Sequence, residues 1–256
     1  MKKSILTCLL VLTAGLTAMM AQNPPAQGKA AGPQPKSQGE AQAVQTLFQA
    51  AQGPPDGVIK AADELMSKYA DTEFKEIALY LTAVSYQQKN DFPKATFYGE
   101  KVLEVNPKNF QITLMLGEVL AQSTRENDLD REEKLGRAEK LLNETIENLK
   151  TAPKPNPQIT DAQWDEGKKQ LNAEAHSGLG MVATTRKKYD PAIAEFKIAA
   201  DTDPQPTYQV RLASAYQQAG KNAEALAIVD KLLADPSLDP RVKSVATTVK
   251  NAASKK

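Results

Sequence analysis

The sequence contains one cysteine, one histidine and one tryptophan in 256 residues, and aromatic side chains make up only 5% of it. The cysteine, Cys8, falls inside an apolar N-terminal run, so the rest of the chain has no thiol for a disulfide or a metal thiolate. The body must therefore hold together by packing alone. A single histidine, His176, cannot build a metal cage, nor a triad without a nucleophile and an orienting acid, so its expected role is structural packing. An excess of one charge sign is also missing, since 32 basic residues face 31 acidic ones, which gives no reason to expect nucleic acid as a partner. Ser177-Gly178-Leu179-Gly180 has the glycines of a phosphate loop but neither the lysine nor the preceding strand that such a cradle needs. Acidic residues lie three and four positions from lysines, as solvated helix faces require, and no carboxylate pair in an apolar pocket can be assembled from the spacing. These absences point to a chain without cofactor, metal or catalytic set, and therefore to a non-enzyme.

What is present begins with Met1-Lys2-Lys3, an apolar run from Ile5 to Ala18, and Met19-Met20-Ala21 before the polar Gln22. A charged start, an apolar stretch too short to span a bilayer and a small-residue exit form a secretory leader, with cleavage expected near Ala21. An uncleaved anchor is the alternative; lipid attachment at Cys8 does not fit, because most of the apolar run follows it. Loss of Lys2 and Lys3 leaves 30 basic against 31 acidic residues. The expected product is an exported, periplasmic or extracellular protein with no membrane span after cleavage. Residues 22–40 are Gln, Pro, Ala, Gly and Lys with no large apolar side chain, and read as a disordered linker.

From Ala41 to about Ser254, apolar residues recur at three and four, and Ala, Leu, Glu, Lys and Gln dominate, so this domain is expected to be helical throughout. Strand-like alternation is lacking; Val245 to Val249 comes nearest and sits among lysines and alanines. Ala61, Ala95, Ala138, Ala192 and Ala225 each precede a residue of similar use four places on, Leu65, Gly99, Leu142, Phe196 and Val229. Their separations are 34, 43, 54 and 33. A second cluster recurs upstream: Thr82-Ala83 with Tyr86, Leu116-Gly117 with Leu120, Leu179-Gly180 with Ala183, and Leu212-Ala213 with Tyr216. The small residue lets a partner helix approach while its large neighbours fill the groove. Pro107, Pro204 and Pro236 close their repeats.

On these residues the chain resembles the tetratricopeptide repeat family over roughly residues 41 to 236, most clearly from His176 to Pro204. The resemblance implies an all-α solenoid of antiparallel helix pairs, about five repeats, two carrying insertions, with a capping helix after Pro240 bearing Val242, Val245 and Val249 on one face. The unit around Phe48 and Ala61 has Gln49 and Gln52 where the small residue and tyrosine belong, and is either a degenerate cap or a plain helical hairpin. One insertion lies between Thr124 and Leu135, with an Asp130-x-x-Glu133 cap. The other starts at Pro153, Pro155 and Pro157, and the Thr160-x-x-Gln163 pattern then predicts a long helix from Asp161 to Thr185. Trp164, on that helix, is either a buried anchor for the insertion or an exposed partner contact. The Asn143-Glu144-Thr145 sequon lies mid-helix and reads as chance.

The resemblance further implies that the first helix of each pair lines a concave, partner-binding face. Projected there are Tyr80, Val84, Gln87 and Gln88; Gln111, Leu114, Glu118 and Gln122; Glu174, Ser177, Met181 and Thr184; and Val210, Ser214, Gln217 and Gln218. All of these except Val84, Leu114, Glu174 and Val210 are the candidate contacts. The groove is expected to be amide-rich and without cations, so that salt should change affinity little. The lysines and asparagines with which some relatives clamp a terminal carboxylate are replaced by Tyr80, Val84, Leu114 and Glu118. The expected function is a scaffold or adaptor holding a peptide or helix of another envelope protein. The alternative is a structural or assembly factor for envelope or outer-membrane complexes.

Overall fold

The computed structural model describes residues 32–155 and 158–255. The expected leader, Met1 to Ala21, and the first ten residues of the expected linker lie outside the described residues. Among those described there are eleven helices and no strand: α1 Gln38–Ala50, α2 Pro55–Lys68, α3 Lys75–Gln88, α4 Phe92–Val105, α5 Phe110–Ser123, α6 Arg131–Thr151, α7 Asp161–Thr185, α8 Tyr189–Thr202, α9 Pro206–Gln218, α10 Asn222–Leu233 and α11 Pro240–Ala253. The fold is all-α, of the α-solenoid class, and it divides into two compact units. One is formed by the described residues through Ile112 with Ala152–Asp165, the other by Thr113–Thr151 with the chain from Glu166 onward.

In the first unit α1 begins three residues ahead of the boundary that composition suggested. Ser37 caps it by accepting the Glu40 N–H, and Glu40, only 1% exposed, accepts the Lys36 N–H and the Thr72 hydroxyl at 2.6 Å each. A buried carboxylate needs such donors, and here they tie the end of the proline-rich segment to the turn before α3. Lys36 also pairs with Asp71 at 2.7 Å, holding Asp71 below and Lys36 above their ordinary titration ranges. Val44, Leu47, Val58, Ala62, Leu65, Phe74 and Ala78 form the core between α1, α2 and α3. Trp164 is the buried anchor of the insertion: its ring lies 6.1 Å from Phe110, and its indole N–H donates to the Ala152 carbonyl.

The second unit shows why the small residues recur. An added methyl at Gly117 or Gly178 would come within 3 Å of Leu142 on α6, and one at Gly180 would lie 2.6 Å from the Phe196 ring on α8. The glycines thus set how closely α5, α7 and their partner helices approach. Thr160 and Gln163 form the expected reciprocal cap, in which each backbone N–H bonds the other's side chain, and α7 runs from Asp161 to Thr185 as the sequence indicated. The insertions lengthen two helices, α6 to 21 residues and α7 to 25. The face of the last helix differs from expectation. Ala246, Val249 and Ala253 are buried and Val242 is half-buried, whereas Val245 is 46% exposed, because the stripe follows a four-then-three spacing from Val242.

Three hairpins close with one turn. Asn90, Lys187 and Gly220 have φ of 58°, 60° and 76°, and the next N–H, of Asp91, Lys188 or Lys221, reaches back five residues to the carbonyl of Tyr86, Ala183 or Tyr216 at 2.9 Å each. This bond closes the helix end that would otherwise leave carbonyls unsatisfied.

Candidate functional site

The largest concentration of expected contacts is in the second unit. Gln122 at the end of α5, Met181 and Thr184 on α7, and Ser214 and Gln218 on α9 line one cavity of about 300 Å³ with Thr124, Thr185, Phe196 and Arg211. Five of the twelve candidates therefore meet at one place. Two others, Tyr80 and Gln111, line a separate cavity of about 260 Å³ in the first unit, beside Phe48, Ile77 and Glu76. Gln87 and Gln217 are half-buried and Gln88 is exposed, and none of the three lines either cavity. Ser177 is fully buried and acts inside the wall, where its hydroxyl accepts from Arg211 Nη1.

Arg211 is the residue that sequence reasoning missed. The projection took Val210 for the face of α9, and Val210 is 4% exposed and packs in the core with Ala213 and Val229. Arg211 was visible in the numbering, since it precedes Ser214 by three residues and Gln218 by seven, the spacing of one helix face. Its presence corrects the expectation of a groove without cations. Burial, with the like charge of Glu174, holds the Glu118 carboxyl well above the usual carboxylate range, and Arg211 only partly opposes this. Burial raises Glu174 in the same way, again against Arg211. Among the described residues no hydrogen bond reaches either carboxylate. Burial and these two acids also push the Tyr208 hydroxyl upward.

The remaining polar groups of the cavity are largely committed. Thr124, Thr184 and Thr185 donate their hydroxyl protons to the carbonyls of Leu120, Gly180 and Met181 at 2.6, 2.8 and 3.0 Å. Gln218 Nε2 donates to Ser214 Oγ at 3.1 Å. His176 stands apart: its Nδ1 lies 2.7 Å from Glu195 and joins α7 to α8. Among the described residues no group of three or more His, Cys, Asp or Glu could hold a metal ion.

Paired helices with glycine or alanine at their contacts, closed by a recurrent turn, define an α-solenoid of the tetratricopeptide type. Solved structures bear this out. TTC0263, a thermophilic TPR protein of Thermus thermophilus, is similar with a TM-score of 0.58 at 20% identity over 82% of this chain and 98% of that one. The MamA fragment from residue 41 to the end, from Desulfovibrio magneticus RS-1, is similar with a TM-score of 0.58 at 14% identity, covering 83% of this chain and 97% of that one. At these identities the likeness is one of fold. No protein-family model matches the sequence, and no curated protein does.

Proposed function

We propose that this chain is an exported interaction scaffold, periplasmic or extracellular and not an enzyme, which holds a segment of another protein in the cavity of its second unit. The observation that carries the reading is that cavity, where the ends of α5, α7 and α9 bring Gln122, Met181, Thr184, Ser214 and Gln218 together. A short side chain and its flanking backbone fill such a volume, with Met181 and Phe196 as apolar area and the amides of Gln122 and Gln218 as partners for peptide groups. Export rests on the leader from Met1 to Ala21. Among the described residues no helix is long and apolar enough to cross a membrane.

Export is checked by N-terminal sequencing of protein from the native host, which should begin near Gln22. An intact Met1 form in the membrane would remove that part of the reading. Binding is checked on a partner captured from the envelope and titrated against three variants. Gln122→Ala with Thr184→Ala and Gln218→Ala should weaken it by roughly 1–3 kcal/mol. Deletion of residues 22–31, which spares Ser37 and Glu40, and charge reversal at exposed Lys140 and Lys231 should leave it unchanged. Loss of binding with the deletion alone would move the function to the N-terminal segment.

A further inference from the structure

We infer that the cavity of the second unit takes a basic side chain of the partner, a lysine or an arginine; the inference rests on the proposal that this cavity holds a partner segment. Three observations within the unit converge on it. First, the three threonine hydroxyls on the wall have already donated their protons to helix carbonyls, so toward an occupant they can only accept. An ammonium or guanidinium offers nothing but donors, and suits such a wall better than a carboxylate does.

Second, the cavity lies where helices end. α5 stops at Ser123, α7 at Thr185 and α9 at Gln218, and Thr124, Thr185 and Gln218 are all among the lining residues. The C-terminal end of a helix carries the negative end of its dipole and favours a cation nearby. Third, two acids lie beside the one guanidinium of the wall. Glu118 and Glu174 act on one another and on Arg211, a lining residue that already spends one N–H on Ser177. A cation in the cavity adds to the attraction those acids feel, while an anion would meet three spent hydroxyls and the ends of α5 and α9 to gain one guanidinium, the end of α7 already being held by Arg131 at the Thr185 carbonyl.

The experiment is selection of a random dodecapeptide library on the purified protein, counter-selected on Thr184→Trp, which fills the cavity. The expected result is a fixed lysine or arginine in the surviving peptides. Replacing that residue by norleucine should weaken a selected peptide about tenfold or more, and Glu118→Gln with Glu174→Gln should abolish the preference for the cation. Because both variants remove charge without changing shape, the circular dichroism spectrum identifies a variant that fails to fold; in that case rising salt, which should weaken the lysine peptide and not its norleucine analogue, tests the same point on the unaltered protein. Survivors with an acidic or purely apolar consensus would overturn the basic side chain and leave the cavity as a binding site. If no peptide survives counter-selection, both fail.

Discussion

Gly180→Leu is expected to lower the melting temperature of the second unit, and Gly180→Ala to do so in smaller measure. Alanine normally improves a helix interior by up to about 1 kcal/mol over glycine, so the expected sign runs against helix propensity. The reason is the Phe196 ring, whose Cδ1 and Cε1 would both lie 2.6 Å from the new Cβ. That ring is 4% exposed and packed in the core with Ala192, Leu212 and Ala215, so the space left to it is the cavity that it lines. Either α7 and α8 separate or the ring leaves its preferred torsion, at a cost of about 1–3 kcal/mol for overpacking. In a chain of this size each kcal/mol shifts melting by roughly 2–4 °C. Gly57 on α2 is the control, since a Cβ there meets nothing within 4 Å. Gly57→Ala should therefore raise the melting temperature of the first unit, and equal shifts at the two sites would show that the α7–α8 contact does not depend on glycine.

Glu118→Gln should stabilise the second unit at neutral and alkaline pH and do little in acid. Glu118 interacts with Glu174 of α7 and with Tyr208 and Arg211 of α9, and Asp203 acts on Glu174. Its carboxyl titrates higher in the folded than in the unfolded chain, so the folded form binds that proton more tightly. Stability from this source is complete below the ordinary carboxylate range. It is lost as pH rises from that range through the raised value of Glu118. Gln keeps the shape and removes the titration, so the melting difference between variant and parent should be near zero at about pH 4 and grow positive toward pH 8. Scanning calorimetry across that range decides the matter. A variant less stable than the parent at every pH would mean that the attraction of Arg211 outweighs burial and the repulsion of Glu174.

Much of the architecture was legible because it depends on local chemistry. The Thr160–Gln163 box and the preceding prolines gave the start of α7, and the small residues at 117 and 180 announced helix contacts that the structure places against Leu142 and Phe196. The start of the fold was misjudged because composition and pattern disagreed. Residues 32–37 are proline-rich, yet Ser37-Gln38-Gly39-Glu40 is itself a capping sequence: Ser37 accepts the Glu40 N–H, and a long-range bond from Thr72 to Glu40 anchors that start. The face of α11 was misread because three valines drew attention from Ala246 and Ala253, which bury fully with less bulk. The site was half legible. Helical spacing brought five residues to one cavity, but whether position 210 or 211 faces it depends on a rotation of about 100° that periodicity alone does not fix.

The turn shared by Asn90, Lys187 and Gly220 bears on how such a chain can change in length. Lys187 and Gly220 occupy the same point in turns 33 residues apart, and each is followed by a lysine whose N–H closes the helix end. A recombination that joins Lys187 directly to Lys221 removes α8 and α9 as a pair, and leaves α7 running into α10 through an unchanged turn. A duplication across the same two points adds a pair on the same terms. Copy number in this part of the gene can therefore drift by whole hairpins without any intermediate that must repair a broken helix.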